Sequence, residues 1–160
     1  MYKPLQWITF LFLCLMFVAS CAPSVANTPI TEEEYEEAVQ QARDTMDVLL
    51  GSLLAPDPTD RFVGVKARFT GKEIEFEDHW TEPIDYYNNV FTVRILDGLT
   101  LNTGLHAEQF VEVPAENILD WIIVESDGNV LGGYTLRLEY ERMTPEEQKQ
   151  YRENTGYKFR

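Results

Sequence analysis

The spacing of the apolar residues changes at Phe62, and this change limits the fold more than any other feature. Apolar residues follow helical spacing from Tyr35 to Leu53, and the helix is expected to end before Pro56 and Pro58. From Phe62 onward apolar and polar residues alternate, which is typical of strands with one buried face. A helix followed by successive strands predicts an α+β fold.

Two short sequences have the composition of helix N-termini. Thr31 is followed three residues later by Glu34, which together form a capping box. Thr144, Pro145 and Glu147 repeat this arrangement, with proline at the first helical position. A second, short helix is therefore predicted at the C-terminus.

Turn residues divide the rest of the chain into predicted strands. Alternation over residues 62–80 predicts a hairpin that turns at Gly71 and Lys72. Further strands are predicted at residues 90–96, 110–113, 118–125 and 130–140. The complete prediction is an N-terminal amphipathic helix, five to six mostly antiparallel strands and a short C-terminal helix.

The alternation also assigns charged residues of the hairpin to a solvent-exposed face. Lys66 and Arg68 lie on this face in the first strand, and Glu73, Glu75 and Glu77 lie on it in the second. This arrangement predicts cross-strand ion pairs, each contributing a fraction of a kcal/mol.

The N-terminal residues have the features of a bacterial lipoprotein signal. Lys3 precedes an apolar run over residues 10–19, which is too short to cross a bilayer of about 30 Å as a helix. The run ends in Val-Ala-Ser-Cys at residues 18–21, which resembles a lipobox. We therefore predict a lipoprotein signal peptide over 1–20, a flexible tether with acylated Cys21 over 21–30, and a single α+β domain over 31–160.

Acylation of Cys21 would account for both cysteines, because Cys14 leaves with the signal peptide. The resemblance to lipoprotein signals implies diacylglyceryl and acyl chains such as palmitate on this residue. Ala22, rather than aspartate, implies sorting to the outer membrane, with the domain facing the periplasm. The alternatives are an ordinary cleaved signal, in which Cys21 is incidental, and an uncleaved anchor, which the short apolar run disfavours.

The chain is strongly acidic, with 27 Asp+Glu against 13 Lys+Arg and a formal net charge of −14. Nucleic-acid binding requires clusters of Lys and Arg, and the sequence has none, so a nucleic-acid partner is excluded. The charge also opposes adsorption on anionic lipid, which leaves the Cys21 lipid as the predicted membrane contact. A domain of this charge favours a basic protein partner.

The sequence contains no recognisable catalytic arrangement. Ser24, Ser52 and Ser126 lie outside any nucleophile-elbow pattern. His79 follows three acidic residues and is the candidate for a carboxylate–histidine site, either hydrolytic or metal-binding. Because no second nitrogen ligand lies at metal spacing, an exposed strand position is the preferred interpretation. No catalytic residue, metal or cofactor is predicted.

Two further sequences leave their roles open. Gly132 and Gly133 lie inside the last predicted strand without a phosphate-loop context. Either a ligand approaches the backbone there, or an aromatic residue such as Trp121 packs over the strand. Residues 86–89, Tyr-Tyr-Asn-Asn, are predicted to form a loop that contacts a protein or covers the core.

The most specific pattern covers residues 118–137. Ile-Leu-Asp-Trp-Ile-Ile-Val at 118–124, a polar turn, and Leu-Gly-Gly-Tyr-Thr-Leu-Arg at 131–137 resemble the signature of the YegJ-like bacterial proteins, a family of unknown function. Leu119 and Ile122 stand where serine and methionine are usual. Upstream and downstream segments fit as well, so the resemblance covers nearly all of the chain after the signal.

The resemblance implies kinship of fold and no established activity. It points to five motif residues, with a structural role preferred to ligand binding: Asp120, Trp121, Gly132, Gly133 and Tyr134. A weaker similarity links the same stretch to small acidic immunity proteins that neutralise bacterial toxins, which is a likeness of pattern alone.

Three functions stay open at this point. The first is an envelope lipoprotein that acts as a non-catalytic acidic binding module, such as an immunity-like inhibitor or adaptor for a basic protein. The second is a hydrolytic enzyme that uses carboxylates and His79. The third is a structural lipoprotein of envelope assembly without a discrete ligand. The sequence names no ligand, partner or oligomeric state.

Overall fold

The computed structural model describes residues 26–71, 76–97 and 104–159. Within these ranges the chain forms four α helices, six strands and a short 3₁₀ helix at Ala115–Asn117. In chain order they are α1 (Glu32–Asp44), α2 (Met46–Leu54), β1 (Phe62–Thr70), β2 (Phe76–Tyr87), β3 (Val90–Ile95), β4 (Phe110–Pro114), β5 (Ile118–Val124), β6 (Val130–Gly132), α3 (Tyr134–Arg142) and α4 (Pro145–Thr155). The predicted α+β class is confirmed. The predicted signal peptide and Cys21 lie outside the described residues.

The strands form one antiparallel sheet in the order β4-β3-β2-β1-β5-β6. In a flat sheet β4 and β5 would lie about 19 Å apart, since four strand spacings separate them. The connection from Pro114 to Ile118 spans four residues, which reach at most about 14 Å. The sheet must therefore curve strongly, which brings the end of β4 towards the start of β5.

Each face of the curved sheet buries an apolar cluster. The larger cluster lies beneath α1 and α2 and includes Ala42, Leu49, Val65, Phe91 and Trp121. The smaller cluster lies on the opposite face. It is built from Ile122, Val124 and Val130, with Phe62, Trp80, Leu136, Tyr157 and Phe159 packed against them. The C-terminal segment thus covers part of the second face.

Both predicted capping boxes are confirmed. The Glu34 N–H donates to Thr31 Oγ1 at 3.2 Å, and the Glu147 N–H donates to Thr144 Oγ1 at 3.3 Å. The helix predicted to run to Leu53 is instead divided at Thr45, whose φ and ψ are −115° and 15°. The Thr45 hydroxyl bonds to Gln41 O at 2.8 Å and to the Tyr134 hydroxyl at 2.9 Å. These bonds compete with continuation of the helix.

The prediction of which residues lie on the solvent-exposed face of the hairpin was wrong for the second strand. The register pairs Arg68 with Asp78 and Ala67 with His79. Arg68 therefore shares its face with Asp78, to which it donates from Nε at 2.8 Å, while His79 and Glu77 share the face of the main core. Glu73 and Glu75 lie outside the described residues.

The prediction of a last strand over residues 130–140 was also wrong. Only Val130–Gly132 pairs with β5, and the chain then bends at Gly133 into α3. Tyr86 and Tyr87, predicted to lie in a loop, end β2 instead. Asn88 and Asn89 follow with φ of 48° and 61°, the backbone of a two-residue hairpin turn.

Candidate functional site

The fold brings all five motif residues to one junction. Asp120 and Trp121 lie in the middle of β5, Gly132 ends β6, and Gly133 and Tyr134 begin α3. The Gly133 N–H donates to Trp121 O at 2.7 Å, which closes the bend between β6 and α3 against β5.

Asp120 is fully buried, and its carboxylate accepts four hydrogen bonds. Oδ1 accepts from the N–H groups of Trp121 at 2.8 Å and Tyr134 at 3.1 Å. Oδ2 accepts from the N–H and the hydroxyl of Thr135, each at 2.8 Å. The first two N–H groups of α3 are thus satisfied by a residue fourteen positions earlier, which does the work of an N-cap. Gly133, at the N-cap position, has no side chain to do it.

Two opposing effects act on the Asp120 carboxyl. Burial raises its pKa above the usual value, because the charged form loses contact with water. The hydrogen bonds from Thr135, Trp121 and Tyr134 favour the charged form and partly offset this effect. Lys66 is opposite Asp120 in the sheet, but its ammonium lies 3.4 Å from Glu139 and from the Thr135 hydroxyl.

Trp121 joins the sheet to α1. Its side chain is 2% exposed, and the indole N–H donates to Ala42 O at 2.9 Å, near the C-terminus of α1. The Tyr134 ring packs edge-on against the indole, with ring centroids 6.3 Å apart. Trp121 and Tyr134 therefore connect α1, β5 and α3 near Thr45, the residue between α1 and α2.

The position of Trp121 leaves room only for glycine at position 132. A Cβ at Gly132 would lie 2.3 Å from Trp121 O and 2.6 Å from its ring, and Gly132 has a φ of +67°. The interpretation that an aromatic residue packs over this glycine is confirmed, although the pair ends a strand rather than lying inside one. Thr135 lies inside the 131–137 pattern but was not among the five motif residues singled out from the sequence, and it supplies two of the four donors to Asp120.

A shallow groove of about 390 Å³ lies beside this junction. Trp121, Gly132 and Tyr134 form part of its floor, and the exposed apolar side chains of Val48 and Leu131 stand at its rim. The polar groups of the junction are turned inward and hydrogen-bonded to one another. Thr45, Asn129 and Arg137 complete the polar part of the groove's lining.

His79 does not occupy the exposed position that we predicted. Its imidazole shares the core face with Ala67, is 24% exposed, and bonds through Nε2 to the Glu77 carboxylate. In the described part of the chain, no group of three or more His, Cys, Asp and Glu side chains could hold a metal ion. Among the same residues, no helix is both long and apolar enough to cross a membrane.

The exposed side of α1 carries a cluster of acidic residues. We call it the acidic α1 face, and it comprises Glu32, Glu33, Glu36, Glu37 and Asp44. Within residues 26–71, 76–97 and 104–159, none of these five carboxylates belongs to an ion pair. Arg43, on the same helix, donates instead to Glu116 O at 3.1 Å. The face therefore presents a net negative charge to solvent, although Arg68 interacts electrostatically with Glu36.

The fold and the junction define a small α+β protein built around a buried aspartate that caps a helix. The chain belongs to the DUF2314 family, described as uncharacterised proteins conserved in bacteria, whose model matches residues 32–159. The match begins at the first residue of α1 and includes every motif residue at the junction. Comparison with curated proteins found no match, and comparison with solved structures found none either.

Proposed function

We propose that the chain is a lipid-anchored acidic binding module of the bacterial envelope, which holds a basic protein partner without catalysing a reaction. An immunity-like inhibitor or an adaptor is the sharpest form of this proposal. We also propose that the chain is a YegJ-like member of its family, because of the pattern over residues 118–137.

The acidic α1 face is the observation that carries this proposal. The basic side chains that form ion pairs do so elsewhere: Lys66 with Glu139, Arg68 with Asp78, Arg94 with Glu82 and Glu108, and Arg142 with Glu34. A net charge concentrated on one helix steers a partner of opposite charge and fixes its orientation. The motif junction contributes by fixing α1 to β5 through the Trp121–Ala42 hydrogen bond.

Affinity capture with the full-length protein in detergent tests this proposal. We expect a basic envelope protein to bind at low salt and to elute as salt is raised, since exposed charges are screened within about 10 Å at 0.1 M. The double variant Glu36→Gln/Glu37→Gln is expected to bind about five- to tenfold more weakly, because two exposed charge contacts of up to about 1 kcal/mol each are lost.

A matched control removes the same charge from another helix. Glu146 and Glu153 are exposed on α4 and lie outside both capping boxes. Glu146→Gln/Glu153→Gln should therefore bind within about twofold of the wild type. Binding that is unchanged in high salt, or equally weakened by both double variants, would contradict a role for the acidic α1 face. Failure to capture any basic protein would contradict the binding module.

The predicted membrane anchor has its own test. The Asn27 N–H donates to Arg142 O at 2.8 Å, so the described chain is attached to the domain six residues after Cys21. Six residues reach at most about 20 Å, which would hold the end of α3 close to the membrane. We expect the Cys21→Ala variant to incorporate no labelled palmitate and to be absent from the membrane fraction. Cys14→Ala should behave as the wild type, and labelling of Cys21→Ala would rule out this anchor.

A further inference from the structure

The two edge strands of the sheet differ in how their backbones are satisfied. At β6, Arg137 donates to Gly132 O at 3.0 Å and to Val130 O at 2.6 Å, and the Val130 N–H donates to Lys158 O at 3.1 Å. These bonds close that edge. At β4, the only strand paired with it among the described residues is β3. Within the described residues, the sheet therefore has one edge covered by hydrogen bonds, at β6, and one edge, at β4, that is available for pairing with another strand.

The outward backbone groups of β4 follow from the bonds at its two ends. The Ile95 N–H donates to Gln109 O at 2.9 Å, and the Ala115 N–H donates to Asn89 O at 2.8 Å. Because antiparallel partners alternate, Val111 and Val113 direct their backbone groups towards β3. Phe110 and Glu112 therefore direct their N–H and C=O groups away from the sheet, where another strand could pair.

The side chains along β4 define what such a strand must carry. Glu112 is exposed and shares its face with Phe110, which is 57% exposed. Val111 and Val113 point to the other face and pack in or against the main core. An added strand would thus place apolar side chains beside the two valines. A basic side chain would lie beside Glu112, within reach of the Phe110 ring.

We propose that β4 pairs with an extended segment of a basic partner protein, in which Lys or Arg alternates with apolar residues. This inference rests on the proposed binding module and assigns it a second contact surface. Main-chain bonds to Phe110 and Glu112 supply the affinity, and the alternating side chains supply the selectivity. A second copy of this chain fits poorly, because antiparallel pairing centred on Glu112 would set two glutamates opposite each other.

The probe is a capped, fluorescein-labelled peptide, Val-Lys-Val-Lys-Val-Lys-Val, added to the full-length protein in detergent at low salt. We expect saturable binding by fluorescence anisotropy, and slowed amide exchange in proteolytic fragments that contain residues 110–114. The matched peptide with glutamate in place of lysine should not bind. Absence of binding by the lysine peptide, or protection confined to α1, would overturn the β4 assignment.

Glu112→Pro removes one outward N–H and leaves the bonds to β3 in place, because those come from residues 111 and 113. We expect it to weaken peptide binding about tenfold, whereas Glu112→Gln, which keeps the N–H, should weaken binding about threefold. Phe110→Pro removes the other outward N–H and serves if Glu112→Pro fails to fold. Wild-type affinity in a folded proline variant would overturn the proposal.

The failure of this inference is distinguishable from failure of the proposed function. A captured basic protein that binds Glu112→Pro normally but loses affinity for Glu36→Gln/Glu37→Gln would keep the binding module and remove β4 from it. If neither the peptide nor any envelope protein binds, both proposals fall.

Discussion

Replacing Trp121 with alanine is expected to lower the free energy of unfolding by about 3–5 kcal/mol, a large share of the stability of a single domain. The variant loses a side chain that is 2% exposed and leaves a cavity where β5 meets α1 and α3. It also leaves Ala42 O without the indole donor and removes the edge-on contact with Tyr134. Urea unfolding followed by circular dichroism measures the loss.

Trp121→Phe separates the contribution of the ring from that of the indole N–H. It keeps an aromatic side chain but cannot donate to Ala42 O, so we expect a smaller loss of about 1–2 kcal/mol. A Trp121→Ala variant within 1 kcal/mol of the wild type would contradict the structural role. If such a variant also failed to capture the basic partner, Trp121 would belong to a binding surface instead.

Helix ends were predictable because their signals are local. Thr31 with Glu34, and Thr144 with Glu147, satisfy backbone N–H groups within four residues of themselves, and both pairs are present in the structure. The division at Thr45 was not predictable in the same way. One bond of the Thr45 hydroxyl is local, to Gln41 O, but the other joins it to the Tyr134 hydroxyl, which lies 89 positions later in the chain. Helical periodicity carries no information about such a contact.

The error over residues 130–140 has a similar cause. Alternation continues through Leu136 and Leu138, and β-branched and aromatic residues favour a strand. The chain turns into a helix because Gly132 and Gly133 both adopt positive φ and because Asp120 satisfies the first N–H groups of α3. The paired glycines were the available signal, and their left-handed conformation could have marked the end of the strand.

The motif was recognisable from the sequence, but its geometry was not. Asp120 and Tyr134 are separated by a turn, a short strand and Gly133, and their hydrogen bond depends on the pairing of β5 with β6. The side of the sheet on which His79 lies depends on the register of β2 against β1, so it could not be predicted from the sequence of β2 alone. The acidic α1 face, by contrast, could be predicted from helical spacing and composition.

Replacing Asp120 with alanine is expected to lower the free energy of unfolding by about 3 kcal/mol. The N–H groups of Trp121, Tyr134 and Thr135 would lose their acceptor, and α3 would lose its N-terminal cap. Amide hydrogen exchange should show α3 opening more readily than β1. Asp47→Ala removes an exposed aspartate from the first turn of α2 and should cost less than about 1 kcal/mol. Equal losses in the two variants would contradict the capping role.

The pH dependence of the Asp120→Asn variant tests the charge state of the buried carboxyl. Burial raises the pKa of Asp120 above 3.8, so the folded protein keeps this proton to higher pH than the unfolded chain does. The associated stability is present below pH 3.8 and is lost as pH rises through the folded pKa. The cost of Asp120→Asn should therefore be largest in acid and should decrease as pH rises.

The pKa of Glu34 is shifted in the opposite direction to that of Asp120, so Glu34 affects the pH dependence of stability with the opposite sign. The informative measurement is therefore the difference in stability between the wild type and Asp120→Asn. The Thr31 N–H, followed by Arg142, lowers the pKa of Glu34 from 4.5 to about 2, so its contribution to stability is lost as pH falls through this range. Because Glu34 is present in both the wild type and Asp120→Asn, its effect cancels in the difference between their unfolding curves. A difference that grows with pH would show that hydrogen bonding to the Asp120 carboxylate outweighs the effect of burial on its pKa.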